Sequence, residues 1–167
     1  PNRHHIYDVG THLVMALKHC PSKDPITRLA TLLHDIGKVE TYRKDKTGQI
    51  TFHNHEVVGD KQVQKIADRL KLSKKEKEKL VVLVKHHQFT VDENQTDKAV
   101  RRFIRDVTKE YLQDMLDLRT GDRIGSGATP TSWRLDLFKK RLLEVQIHVF
   151  SVADLKISGE DVMKELK

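Results

Sequence analysis

A chain of 167 residues, 37% hydrophobic, suits one domain with a small appendage and can bury a core, which excludes a disordered chain. No apolar run approaches the roughly 18 residues of a membrane span, nothing at the start resembles a signal peptide, and the single Cys20 excludes an intrachain disulfide and suits a reducing cytoplasm. The formal net charge of +7 suits anionic partners, nucleic acid, phosphorylated substrates and acidic surfaces among them, and equally a solvated basic surface, between which net charge alone does not choose.

Helices are expected nearly throughout. From Ile6, apolar residues recur at Val9, Leu13, Ala16 and Leu17, the spacing of one helix face. Asp24-Pro25 reads as an N-cap followed by proline at the first helical position, opening a helix through Leu33 that Gly37 is placed to end. Residues 41–52 carry a turn signal at Thr47-Gly48 and form a short hairpin or an exposed loop. Asn54 can cap a helix through Val57, Val58, Val63, Ile66 and Leu70. Ser73 and Glu76 form a capping-box pattern that leads into LVVLVKHH, where cap and length favour helix over strand. Thr96-Asp97 opens another helix, and the next runs through Met115, Leu116 and Leu118 and closes at Gly121. After the break GSGATP at 125–130, Thr129-Pro130 starts a helix through Trp133, Leu137, Leu142 and Val149, and residues 158–161 begin a last short one. Trp133, Phe138 and Phe150 are candidates for the core or for contact with a second copy, so oligomeric state stays open. The expected fold is all-α: a helical bundle over residues 1–128 and a helical extension over 129–167.

Ten histidines are more than solubility requires. His12 falls on the first helix, His34 and Asp35 at the end of the second, and His55 at the start of the third, just after His53. His86 and His87 end the fourth helix, and Asp122 follows the one expected to close at Gly121. Bundles build metal sites this way, from side chains of several helices projecting inward. Adjacent His34 and Asp35 cannot share one helix face, but at a helix end the chain turns and both can reach one ion, or Asp35 can bridge two. Imidazole and carboxylate suit Mn, Fe, Ni, Zn or Co, with Mg possible where oxygen dominates. Two such ions could clamp a phosphate and activate water. Lys38 and Arg123 are cations placed for phosphate oxygens. Taken singly, each residue has a structural reading as well: a packed histidine, a polar helix start, a cation at a helix C-terminus. His4, His5, His19 and His148 are read as structural, with His5 the one that could sit near the site.

The order His12, His34-Asp35, Asp122, with the stretch HDIGK at 34–38, resembles the HD superfamily of metal-dependent phosphohydrolases. The resemblance implies that His12, His34, Asp35 and Asp122 bind metal, and that His55, His86 and His87 serve a second ion. The Gly-Tyr-Pro element of the HD-GYP phosphodiesterases is absent and Glu56 follows His55 where those enzymes have proline, which argues against a cyclic-dinucleotide enzyme. The segments YDVGTH, HDIGK, FHNHE, LVKHH, DLRTGDRIGSG and DLKISGEDVMKEL look like successive parts of bacterial tRNA nucleotidyltransferases and related poly(A) polymerases. That likeness implies an HD region followed by an RNA-facing tail, with tRNA as partner of the full-length parent. It argues against a stringent-response hydrolase. The missing initiator Met and the tail segment, which continues further in that group, make a chain cut at both ends the expectation. Nucleotide addition needs a Gly-rich loop with paired carboxylates, found nowhere in the sequence, so it is not expected of this chain alone.

Two functions follow from these residues. One is metal-dependent hydrolysis of a phosphomonoester or phosphodiester, with Asp35, Lys38 and Arg123 as catalytic residues, Lys38 and Arg123 binding substrate, and one or two divalent ions. Nucleotides, 2′,3′-cyclic phosphates and RNA 3′ ends are the substrate classes. The other is an RNA-binding module with an idle metal site, motivated by the basic clusters at Lys71–Lys79, Arg101–Arg105 and Arg134–Arg141. With aromatics at 5%, contacts to phosphates rather than stacking on bases would dominate there.

Overall fold

The computed structural model describes residues 8–89, 92–147 and 159–166. Helix α1 (Val9–His19) begins where the Asp8 carboxylate accepts from the Thr11 N–H at 3.0 Å. Helix α2 (Pro25–Leu33) begins as expected, with Asp24 accepting from the Thr27 N–H at 2.8 Å and proline in the first turn. Its end is not where glycine was expected to place it. The helix stops at Leu33, residues 34–37 turn, and a short α3 (Lys38–Thr41) follows. Gly37 has ordinary right-handed dihedrals. It is glycine because a Cβ there would run into the His55 carbonyl and lie 2.7 Å from the Gly59 amide nitrogen. The requirement is close approach, not a left-handed helix stop.

Residues 43–51 form a hairpin, β1 (Arg43–Lys44) antiparallel to β2 (Ile50–Thr51), with Arg43 opposite Thr51. Asp45 closes the turn by accepting from the Thr47 and Gln49 N–H groups, and Gly48 takes φ +84°. These strands are the β-structure among the described residues, so the chain is all-α in class.

Helix α4 (His55–Arg69) follows Asn54, whose backbone is left-handed at φ 61° and whose side chain caps nothing. Helix α5 (Lys74–His86) has both hydrogen bonds of the capping box, Ser73 to the Glu76 N–H and Glu76 to the Ser73 N–H. That cap selects helix for the β-branched run behind it. Thr96 caps α6 (Asp97–Val107). After a single 3-10 turn, Lys109–Tyr111, α7 (Leu112–Gly125) runs straight through Gly121, so the expected stop there is corrected. A methyl at Gly121 would lie 2.6 Å from the Ala16 carbonyl oxygen, and one at Gly125 2.6 Å from the Ala16 nitrogen. Both glycines let α7 press against the backbone of α1.

Helix α8 (Trp133–Ile147) starts three residues past Pro130. Its first bond is accepted by the Ser132 carbonyl, and the Ser132 hydroxyl accepts from the Leu135 N–H. Helix α9 (Gly159–Glu165) lies in the expected last segment. Ile6, Val149, Phe150 and Ser158 lie outside the described residues.

One hydrophobic cluster joins the helices. Val63 and Ala67 of α4, Leu80, Leu83 and Val84 of α5, Val100 and Ile104 of α6, and Met115 and Leu118 of α7 are all buried in it. So are Leu135, Phe138, Leu142 and Val145 of α8, although that helix belongs to the segment expected to be an extension. Phe138 stacks on Phe89 at 5.4 Å and meets Phe103 at 5.3 Å, while Trp133 is exposed. Lys79 pairs with Asp24 and Asp114, and the Thr27 hydroxyl donates to Asp114, tying α2, α5 and α7 together. No helix among the described residues is long and apolar enough to cross a membrane.

Gly121→Ala should force α7 away from α1, costing about 2 kcal/mol or more and lowering the melting temperature by roughly 4–8 °C. Thermal unfolding followed by circular dichroism measures it; an unchanged melting temperature would refute the backbone contact.

Candidate metal centre

Five elements deliver the candidate ligands. His12 sits mid-helix in α1, His34 caps the end of α2, and Asp35 is the next residue in the turn. His55 is the first residue of α4, His87 immediately follows α5, and Asp122 lies in the last turn of α7. The Gly37–His55 contact brings the start of α4 onto the 34–37 turn, and Gly121 and Gly125 bring Asp122 onto α1. His12, His34, Asp35, His55 and His87 are all at most 3% exposed.

The imidazoles are oriented from behind. The Nδ1 atoms of His34, His55 and His87 lie 2.7, 2.9 and 2.7 Å from the carbonyl oxygens of Thr31, Phe52 and Val84. A carbonyl only accepts, so each Nδ1 carries the proton and each Nε2 presents its lone pair inward. The Nε2 atoms of His12 and His34 are 3.1 Å apart, and those of His55 and His87 are 3.3 Å apart. Two imidazole lone pairs at that distance repel unless a cation or a proton lies between them.

Asp35 stands between the two pairs. Its Oδ2 is 3.5 Å from His12 Nε2 and 3.4 Å from His34 Nε2, and it accepts from Lys38 Nζ at 2.5 Å. Its Oδ1 is 3.1 Å from His55 Nε2 and 3.4 Å from His87 Nε2. Asp122 faces the first pair, its Oδ1 lying 3.3 Å from His12 and 3.5 Å from His34. Two sets thus have ligand atoms within 4.8 Å of one another: His12, His34 and Asp35, and Asp35, His55 and His87. A buried set of ring nitrogens converging around carboxylates, three of the four imidazoles anchored through the other nitrogen, fits a divalent metal ion.

The electrostatics agree. Burial pushes the Asp35 carboxyl up, but the charge of His34 and the ring nitrogens of His12, His55 and His87 set against its oxygens hold it well below the usual carboxylate range. Asp122 is likewise held low by His12, His34 and Arg119 against its burial. Burial would lower His12, yet Asp122 and Asp35 raise it to about 9. His55 is raised against burial by Asp35 and the Phe52 carbonyl, whereas burial keeps His87 low. Without a metal ion, the carboxylates draw protons onto His12 and His55, and a bound cation would replace that charge.

Several expected residues sit elsewhere. His86 falls in neither set; it is half-buried on the other side of its helix end, with Lys85, Asp60 and Asp106 as its charged neighbours. Consecutive residues at a helix terminus point about 100° apart, so only one of the pair faces inward. His53 is exposed in a turn, His19 is half-buried in the last turn of α1, and His4, His5 and His148 lie outside the described residues. Arg123 is engaged with the following loop, its guanidinium donating to the Thr129 and Thr131 carbonyls at 3.0 and 3.2 Å. Lys38 is at the centre but buried on Asp35. Two residues escaped the sequence. Arg119 Nη1 lies 3.3 Å from Asp122 Oδ2, and the Ser126 hydroxyl lies 3.5 Å from His12 Nδ1. The signal for Arg119 was its spacing three residues before Asp122, which matters only once α7 is known to continue through Gly121.

The HD domain family matches residues 3–120 of the chain. Among curated proteins, the A-adding tRNA nucleotidyltransferase of Deinococcus radiodurans is 38% identical over 96% of this chain. The CC-adding tRNA nucleotidyltransferase of Thermus thermophilus is 29% identical over 81% of it, and the Multifunctional CCA protein of Legionella pneumophila is 32% identical over 52%. The chain spans 38%, 30% and 22% of the lengths of those relatives.

Because Asp35 belongs to both sets, Asp35→Ala should abolish metal retention altogether. His12→Ala and His87→Ala should each weaken one set and leave the other. Elemental mass spectrometry of the purified variants reads this, and full metal content in Asp35→Ala would remove Asp35 from the centre.

Proposed function

The chain belongs to the HD-domain family, and on that premise we propose that it is a metal-dependent phosphohydrolase module acting on phosphomonoesters or phosphodiesters of nucleotides or RNA ends, 2′,3′-cyclic phosphates included. The observation that carries the proposal is the pair of buried imidazole couples sharing the Asp35 carboxylate. His12, His34, Asp35 and Asp122 would hold one divalent ion, and Asp35, His55 and His87 a second. Bound there, Mn, Ni, Fe, Zn, Co or Mg would supply Lewis acidity toward a phosphoryl oxygen and activate water.

The chain's own residues set the conditions for that chemistry. The Thr31, Phe52 and Val84 carbonyls fix three imidazoles in one tautomer. Lys38 holds the Asp35 carboxylate in place and contributes positive charge inside a buried site, where it acts with little screening. Its ammonium also lies 5.6 Å from the Phe52 ring, so the hairpin end closes that side of the centre. Burial of His12, His34, Asp35, His55 and His87 limits bulk water to the Asp122 edge of the set.

The nucleotide and RNA substrate classes rest on the relatives, whose names speak of tRNA. The net charge of +7 supports an anionic polymer as partner in a longer parent protein. An RNA-binding role with an idle metal site is the weaker reading. Within the basic clusters, Lys75 pairs with Glu110, Lys77 with Asp68, Arg134 with Glu93 and Arg141 with Asp97. Nucleotide addition is not proposed for this chain.

Purified protein supplied with Mn, Ni or Mg should turn over a simple phosphodiester and a 2′,3′-cyclic nucleotide. His34→Ala and Asp35→Ala should abolish that turnover, and Lys38→Ala should slow it by about 10²-fold, the usual effect of removing one group that stabilises developing charge. Equal activity in both ligand variants would refute the hydrolytic assignment. No turnover with any of these ions, together with salt-sensitive tRNA binding, would leave the RNA-binding reading.

A further inference from the structure

We propose that Arg119 forms an oxyanion subsite on the Asp122 side of the centre, where its guanidinium receives a non-bridging oxygen of the substrate phosphoryl group. The inference rests on the phosphohydrolase reading and names the residue that binds its substrate.

Arg119 lies one turn before Asp122 on α7. The Asp122 carboxylate is divided between two neighbours: one oxygen faces His12 and His34, and the other faces Arg119 Nη1. The guanidinium therefore stands one carboxylate away from the first ligand set. Its other support is Phe89, two residues beyond His87, whose ring centroid is 5.4 Å from the guanidinium carbon. Phe89 is itself packed against Phe103 and Phe138. The arginine is held in place without being used up. A charge-assisted bond to a carboxylate is commonly 2.7–2.9 Å and often two-pronged, whereas Arg119 reaches Asp122 by one nitrogen at 3.3 Å. Among the described residues no other hydrogen-bond acceptor meets it, so most of its five N–H donors are open.

The competing cations are committed. Lys38 is buried and donates to Asp35, and Arg123 donates to the loop carbonyls. Exposure points the same way: the side chains of Arg119 and Asp122 are 25% and 16% accessible, against 4% for Asp35. A ligand arriving from solvent meets this edge first. A planar fork with open donors matches a tetrahedral phosphoryl oxyanion, whereas a lysine would offer only a point charge.

The alternative is that Arg119 merely orients Asp122, and the two roles separate cleanly. The full chain would be loaded with Mn, its metal content measured by elemental mass spectrometry, and inorganic phosphate titrated by calorimetry. Arg119→Gln should weaken phosphate binding at least tenfold while metal content stays at the wild-type level, and Arg119→Lys should recover part of the affinity. Phosphate affinity unchanged in Arg119→Gln would overturn the subsite, as would a loss that follows a loss of metal. A larger loss in Arg123→Gln would overturn it too and return the role to Arg123. Wild-type protein that takes up metal but no phosphate would refute the subsite alone. Wild-type protein that takes up no metal would refute the phosphohydrolase reading and the subsite with it.

Discussion

A carboxylate enclosed by four imidazoles is an expensive arrangement, and the rest of the structure serves it. Asp35 is 2% exposed, and both of its oxygens face ring nitrogens. A buried ionised carboxylate without partners would cost several kcal/mol. Here it is matched by Lys38, by protons drawn onto His12 and His55, or by the cation the site fits. The backbone carbonyls behind His34, His55 and His87 make that match specific, because they decide which nitrogen faces inward.

Bringing five elements to one point requires the backbones to come closer than side chains normally allow. Two glycine contacts do this. Gly37 meets the start of α4 at His55 and Gly59, which sets one imidazole couple against the turn that carries Asp35. Gly121 and Gly125 lay α7 on Ala16, one turn beyond His12, which sets Asp122 against the other. None of these three glycines takes a positive φ. Their role is volume, so the same packing that stabilises the bundle also sets the ligand distances. The hydrophobic cluster, from Leu80 and Val84 to Met115 and Phe138, packs α5, α7 and α8 together.

Local signals in the chain decided much of the fold. Asp24-Pro25, Ser73 with Glu76, and Thr96 all act where they occur, because a cap is a contact between residues three apart. Glycine misled for the opposite reason. Both Gly37 and Gly121 were expected to end helices, and each is instead a point of close approach between segments distant in sequence. The error at Gly121 then hid Arg119, since its relation to Asp122 exists only on an unbroken helix. Asn54 shows a milder version: it sits at the helix start, yet its side chain caps nothing.

By itself, then, the sequence determined the all-α class, most helix starts, and the family, through residue types at spacings that local geometry and motif order make legible. It also named the ligand types. Only the tertiary structure decided which of them meet. Of the adjacent His86 and His87, one turns inward and one away, because successive residues diverge around a helix end. Of the arginines flanking the last carboxylate, Arg119 meets Asp122 and Arg123 meets the carbonyls of the following loop. Such choices depend on what lies across the gap between elements, and no spacing along a single chain contains that.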